Sequence, residues 1–252
     1  MRFRPLVATA MAFLLLPVMS PGAAKADACG DGGSLPDTPE TTEFYESNFL
    51  LGPAKLPKEG PVGAVVSGYE RFGDLKADAF KQDYIVDGKK WNWPPSDGFA
   101  LKDGGPYGQV DRAKITLKPG TQLDRFGFAA GKFLAPKGTP FPERALPPQA
   151  LETPSHTRPD YEGKMWTENT IVPPSNYHAY CVQNAFDVDA GAIAPWFGQP
   201  GRGMQYMLMP GYVPDQPSDK LSVQWLLSHG PASGGKYLRT RRRWRSGGGC
   251  IL

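Results

Sequence analysis

The chain has 252 residues, enough for one or two domains with a buried core, and 12% of them are aromatic, too many for a disordered chain. Its 30 glycines and 27 prolines disfavour long helices and indicate a sheet-rich fold with long ordered loops. Three of the 28 basic residues lie in the first 26 positions, so the rest of the chain balances 25 basic against 25 acidic residues, which argues against a nucleic-acid-binding protein.

Residues 1–26 are predicted to be a signal peptide. Two arginines precede an apolar run from Leu6 to Met19, and the small residues of Ala24-Lys25-Ala26 suit signal peptidase. That run is too short to span a bilayer comfortably, and no later stretch approaches about 18 apolar residues. We therefore expect a secreted protein without membrane insertion, outside the cell or at its surface, whose residues 27–43 form a flexible lead-in.

Residues 44–109 are predicted to form an N-terminal subdomain of short apolar runs broken by turns. Within it, Asp87-Gly88 lies between β-prone residues and predicts a hairpin. Residues 110–230 follow as the main domain. There the alternation of Ile115 and Leu117 before the Pro119-Gly120 turn predicts a strand, a turn and a second strand.

The rest of the main domain is predicted to hold a short strand, a proline-framed loop and further strands. Arg144 lies in the proline-framed loop, and residues 177–182 alternate as in a strand. The segment "DKLSVQWLLSHG" is the best helix candidate, with Asp215 and Ser218 placed where a cap belongs. Residues 231–252 are glycine-rich and basic, and we expect a disordered tail.

Three cysteines lie outside the predicted signal peptide, and in an oxidising compartment two of them should pair. Cys29–Cys181 is the preferred pairing, because Cys250 lies in a glycine-rich terminus with little to hold it in place.

Several common catalytic motifs are absent from the sequence. It has no dinucleotide-binding Gly-x-Gly-x-x-Gly after a strand, no P-loop, no His-Glu-x-x-His zinc helix and no Gly-x-Ser-x-Gly elbow. A three-histidine zinc site would need every histidine of the chain, and these are far apart: His156, His178 and His229.

Four segments in order, "LKPGTQLDRFG", "GKFLAPKGTPFPERALPP", "NYHAY" and "GAIAPWFGQPGRGMQY", resemble the tuberculosis necrotizing toxin (TNT) family of NAD glycohydrolases. The upstream segments "LLGPAKLP", "SGYERFGDL" and "WNWPPSDGF" look more like the secreted, surface-exposed fungal members. The resemblance covers roughly residues 44–230. It implies an α+β, mostly antiparallel fold like that of the ADP-ribosyltransferases, with few short helices and long ordered loops.

The resemblance also implies a reaction. The family cleaves NAD⁺, and often NADP⁺, to nicotinamide and the ADP-ribose moiety, without a metal in the chemistry or a required cofactor. Some fungal relatives carry a calcium site and dimerise, so a calcium ion at Asp215 and Asp219 and a homodimer are optional expectations. Transfer of ADP-ribose to a protein and a catalytically silent NAD-binding module are the alternative functions.

Matching the family's motifs assigns Gln199, Arg125 and His178 as catalytic residues and Phe126, Arg144 and Asp124 as substrate-binding residues. Guanidinium groups suit the pyrophosphate, and an aromatic face suits the cationic nicotinamide ring. The amide of Gln199 can accept from a ribose hydroxyl and donate to water without trapping the cationic intermediate.

Structural roles for the same residues stay open at this point. Arg125 would serve equally as a salt-bridge partner of Asp124 or Glu143, and Phe126 and His178 would serve as interior residues. A second Arg-Phe-Gly, at residues 71–73, echoes residues 125–127. The site is assigned to the latter because only that copy follows Lys-Pro-Gly-Thr.

Overall fold

The computed structural model describes Cys29 and residues 41–102, 108–127, 130–153, 177–213 and 221–240. Its centre is a seven-stranded sheet in which every neighbouring pair of strands is antiparallel, in the order β3-β7-β8-β5-β4-β6-β9. The predicted α+β, sheet-rich, mostly antiparallel class is therefore confirmed. The strands are β1 Ile85–Val86, β2 Lys90–Trp91, β3 Arg112–Leu117, β4 Gln122–Phe126, β5 Phe133–Pro136, β6 Tyr177–Val182, β7 Phe186–Ala192, β8 Met204–Met207 and β9 Leu238–Thr240.

Three α-helices and several short 3₁₀ helices surround this sheet in the described part of the chain. None of the described helices is long and apolar enough to cross a membrane. The α-helices are α1 Gly60–Val66, α2 Ala77–Tyr84 and α3 Val223–Ser228, and the 3₁₀ helices are Tyr45–Ser47, Phe49–Leu51, Ser96–Gly98, Pro142–Arg144 and Pro148–Leu151.

Strand β4 separates two apolar cores, because successive side chains along a strand point to opposite faces of the sheet. Leu123 and its partner Tyr180 on β6 belong to a core that also includes Leu226 of α3. Phe126 and its partner Tyr177 belong to a second core, beneath α1. All six residues of β6 are consequently buried.

The N-terminal region packs through a third apolar cluster. Phe80 of α2 and Phe197, from the loop before β8, are both completely buried in it. The hairpin predicted around Asp87-Gly88 is confirmed as strands β1 and β2. Helices α1 and α2 are findings that the apolar runs did not indicate.

Several sequence expectations for the main domain are confirmed or corrected. A strand precedes and another follows Pro119-Gly120 as predicted, but the two strands do not pair with each other: β3 pairs with β7 and β4 lies between β5 and β6. The helix in "DKLSVQWLLSHG" is confirmed as α3, whose cap is Ser222, with its side chain accepting a hydrogen bond from Trp225 N–H. The predicted cap at Asp215 or Ser218 was wrong, because Ser222 occupies the N-cap position of α3.

The terminal segments also differ from expectation. The disordered tail predicted from residue 231 is wrong over residues 231–240, because β9 adds to the edge of the sheet beside β6. The preferred disulfide is confirmed between Cys29 and Cys181. The predicted signal peptide, most of the predicted lead-in and residues 241–252 lie outside the described residues.

Candidate functional site

Two of the predicted catalytic residues lie opposite each other in the sheet. Arg125 on β4 is the register partner of His178 on β6, so both side chains leave the sheet on the face that carries Leu123 and Tyr180. The His178 ring lies 6.3 Å from that of Tyr180, centroid to centroid, and is buried. The neighbouring Asp124 and Phe126 point to the other face.

Asp124 forms a buried ion pair with Arg144. An Nη2 of Arg144 lies 2.7 Å from one carboxylate oxygen of Asp124, and the Arg144 Nε donates to the Thr139 carbonyl at 2.8 Å. The other carboxylate oxygen accepts from the Gly138 N–H and the Tyr177 hydroxyl, both at 2.8 Å. Asp124 is completely buried. The four contacts therefore compensate the two charged groups for the hydrogen bonds to water that they lose on burial.

Burial raises the pKa of the Asp124 carboxyl, and this is the largest influence on that group. The charge of Arg144 and the hydrogen bonds from Gly138 and Tyr177 act in the opposite direction. Asp124 thus pairs with Arg144, which is distant in the sequence. Its sequence neighbour Arg125 lies on the opposite face of β4.

Phe126 packs in the core beneath this ion pair. The guanidinium carbon of Arg144 lies 5.3 Å from the centroid of the Phe126 ring, within the range of a cation–π contact. The rings of Phe141 and Tyr177 each lie 4.9 Å from it. In this arrangement Phe126 is an interior residue, and its stacking against a nicotinamide ring stays a prediction.

Arg125 is the one partly exposed member of the six predicted site residues. Its Nη1 donates to the Phe133 carbonyl at 2.7 Å. Gly131 makes room for it, since a Cβ at that position would lie 1.8 Å from Nη2. Arg125 is therefore the best placed of the two arginines to contact an anionic ligand from solvent.

Gln199 ends a tight turn whose backbone leaves little freedom. Its N–H donates to the Trp196 carbonyl at 2.9 Å, and both central residues have left-handed backbones, with φ of 50° at Phe197 and 67° at Gly198. The Gln199 side chain is 5% exposed, and its Nε2 donates to the Glu70 carbonyl at 2.7 Å. The carboxamide is consequently held at its nitrogen end.

The Gln199 loop is bonded to the segment that carries Arg144. Gly201 N–H donates to the Pro142 carbonyl at 3.3 Å, and Gly203 N–H donates to the Glu143 carbonyl at 3.0 Å. Three non-glycine residues with left-handed backbones lie in or beside these segments: Ala145, Phe197 and Arg202. Such strain persists only where surrounding contacts enforce it, and it often accompanies functional sites.

The six predicted residues thus fall into two groups. Asp124, Phe126 and Arg144 lie together, next to the loop of Gln199, whereas Arg125 and His178 pair on the opposite face of β4. A single cleft contacted by both groups stays a prediction.

Two contributors were missed by the sequence reasoning. Tyr177, whose hydroxyl donates to Asp124, precedes His178 in "NYHAY", and the strand alternation there was the only available signal. The first Arg-Phe-Gly, at residues 71–73, repeats the sequence of residues 125–127, and its Gly73 packs against Gly198 of the Gln199 turn.

The described residues contain no group of three or more histidine, cysteine, aspartate or glutamate side chains arranged to hold a metal ion. Asp215 and Asp219, the predicted calcium ligands, lie outside the part of the chain that the structure describes.

Comparison with known proteins gives two sequence matches. The family model described as tuberculosis necrotizing toxin matches residues 116–231. The conidial surface nicotinamide adenine dinucleotide glycohydrolase of Aspergillus fumigatus is 39% identical over 160 residues, which are 62% of this chain and 61% of the relative. The chain therefore matches about three fifths of the length of that relative.

Solved structures give weaker likenesses. The structure of tuberculosis necrotizing toxin complexed with its immunity factor IFT covers 67% of this chain and 76% of its own, with 21% identity and a TM-score of 0.44. The complex of Rhs1-CT with its cognate immunity protein RhsI1 covers 41% and 75%, with 20% identity and a TM-score of 0.24. Likenesses of this size carry no argument about function.

Proposed function

We propose that the protein is an NAD⁺ glycohydrolase, because the family model described as tuberculosis necrotizing toxin matches residues 116–231 of this chain. The reaction cleaves the N-glycosidic bond between nicotinamide and ribose and gives nicotinamide and ADP-ribose. The observation that carries the proposal is the 39% identity to the fungal NAD glycohydrolase over 160 residues. NAD⁺ is then the substrate, and no cofactor takes part.

This reaction requires the substrate to be held in position and does not require a strong general acid. Nicotinamide leaves as a neutral heterocycle from a cationic pyridinium, so the protein must grip the pyrophosphate, hold the ring and stabilise the oxocarbenium-like ribose. Arg125, which is partly exposed, supplies a phosphate contact. The second arginine, Arg144, is already committed to Asp124 and organises the site from beneath.

Gln199 takes the role at the ribose. With its Nε2 donating to the Glu70 carbonyl, the carboxamide oxygen points away from Glu70 and accepts a hydrogen bond from a ribose hydroxyl or from the attacking water. A neutral amide makes these hydrogen bonds without forming a covalent bond to the cationic ribose.

The test is a turnover assay with a fluorescent etheno derivative of NAD⁺. Wild-type protein should increase the fluorescence as nicotinamide departs, and Gln199→Ala should reduce kcat by about 10²-fold or more, as for the loss of a polar group that stabilises a transition state. Gln82→Ala is the matched control, because Gln82 is an exposed residue of α2. An inactive wild type, or equal rates for the two variants, would contradict the proposal.

Further features follow from the family resemblance and remain our proposals. We propose that NADP⁺ is also accepted and that the protein acts outside the cell or at its surface, in keeping with the conidial surface location in the name of the fungal relative. A calcium ion at Asp215 and Asp219 and a homodimer stay predictions.

A further inference from the structure

The Gln199 turn is supported by a segment outside the matched family region. Residues 70–73 precede that region, which spans residues 116–231, yet the Glu70 carbonyl accepts the Gln199 Nε2–H at 2.7 Å. The same carbonyl accepts the Gly73 N–H at 3.0 Å, which closes the turn at residues 70–73. One backbone oxygen therefore joins the two turns.

The two turns approach so closely that neither has room for a side chain at the contact. A Cβ on Gly73 would lie 1.8 Å from the Gly198 carbonyl oxygen, and a Cβ on Gly198 would lie 2.4 Å from the Phe72 carbonyl oxygen. Both glycines also have positive φ, 57° and 67° respectively. Any shift of residues 70–73 must therefore displace the turn that ends at Gln199.

Residues 70–73 are themselves held firmly. The guanidinium of Arg71 is buried and donates to the carbonyls of Leu51, Pro53 and Ala54. Its carbon also lies 4.5 Å from the centroid of the Tyr45 ring. Three carbonyls on one planar fork fix the arginine more tightly than a lysine ammonium would.

We propose that the turn at residues 70–73 is a positioning element for Gln199, built by the N-terminal region and required for turnover. This rests on the proposed function, in which the Gln199 carboxamide acts on the ribose. Gly73 and Arg71 do not touch substrate and act through the aim of the Gln199 side chain.

The test replaces Gly73 by alanine and uses Gly68→Ala as the matched control. Gly68 has a similar left-handed backbone, with φ of 75°, and is exposed, but its added Cβ would meet nothing within 4 Å. Both substitutions thus introduce comparable backbone strain in the N-terminal region, and only one displaces the Gln199 turn. Thermal melting of both variants checks that they fold.

We expect Gly73→Ala to lower kcat by about 10²-fold with KM within about twofold, since a displacement near 1 Å costs this much at a site of chemistry. Gly68→Ala should keep the wild-type kcat. In a Gln199→Ala background, Gly73→Ala should change the residual rate by less than about twofold, because both act through one group. Equal rates for Gly73→Ala and Gly68→Ala would overturn the proposal.

A readout independent of turnover separates this proposal from the proposed function. Backbone hydrogen exchange of a peptide covering residues 194–201 should quicken in Gly73→Ala and not in Gly68→Ala; unchanged exchange would overturn the positioning role. An inactive wild type with the expected exchange pattern contradicts the glycohydrolase and leaves the mechanical coupling supported. If Gly73→Ala does not fold, Arg71→Lys replaces it, with slower turnover and faster exchange expected.

Discussion

At the scale of single residues, the buried ion pair between Asp124 and Arg144 organises one side of the candidate site. Each partner is fully or almost fully buried, and each is hydrogen-bonded beyond the pair, Asp124 by Gly138 and Tyr177 and Arg144 by the Thr139 carbonyl. Such a pair contributes little net stability by itself, but removal of one partner leaves an uncompensated buried charge.

We therefore predict that Asp124→Asn lowers the free energy of unfolding by about 3–5 kcal/mol, because the Arg144 guanidinium loses its counter-charge in the interior. Urea denaturation measures the change. Asp187→Asn is the control, since Asp187 pairs with Lys114 at 2.9 Å on the exposed side of the sheet and should lose much less. An equal decrease in the free energy of unfolding for the two variants would contradict the prediction, because the buried pair would then matter no more than the exposed one.

At the scale of elements, β6 connects the parts of the molecule. It pairs with β4 and β9, contributes to both cores of the sheet and carries Cys181, whose disulfide joins it to Cys29, 152 residues away. A crosslink over such a separation restricts the unfolded chain strongly, which is the main way that a disulfide stabilises a protein.

Cys29→Ala should accordingly lower the free energy of unfolding by about 2–5 kcal/mol. Chemical denaturation with and without reductant provides the measurement and its control. Reductant should bring the wild type to the stability of the variant and leave the variant unchanged. If reductant destabilised both equally, the effect would not come from this bond.

At the scale of the whole molecule, the region that the family model matches, residues 116–231, shares its interior with the N-terminal region. Phe126 and Tyr177 of the sheet pack in one cluster with the valines of α1, and Phe197 packs in another with Phe80 of α2. The loop of Gln199 is thus held between the Arg144 segment on one side and residues 70–73 on the other. The candidate site consequently depends on both regions.

The sequence predicted local features well and long-range contacts poorly. Strand alternation predicted β3 and β6, and Asp87-Gly88 predicted the β1–β2 hairpin, because these signals depend on neighbouring residues. The partner of Asp124 and the support of Gln199 by Glu70 depend on pairs 20 and 129 positions apart, which composition and periodicity do not encode. Helix α1 was missed since its "GPVGAVV" has the glycine and β-branched residues of a turn-broken strand.

The faces of β4 illustrate the same limit for the site. The motif match predicts that both Arg125 and Arg144 serve one site, but alternation along β4 places Arg125 beside His178, and Arg144 contacts Asp124 and Phe126 on the other face. The exposure of each arginine decides which of them a substrate can reach. Exposure depends on the folded chain, so the sequence alone could not distinguish Arg125 from Arg144.

The most direct test of the central claim is a product analysis after incubation of the purified protein with NAD⁺. Chromatography should show nicotinamide and free ADP-ribose appearing in equal amounts, in step with the loss of NAD⁺, and neither should form with Gln199→Ala. Intact NAD⁺, or nicotinamide released while the ADP-ribose becomes attached to protein, would contradict the assignment as a glycohydrolase.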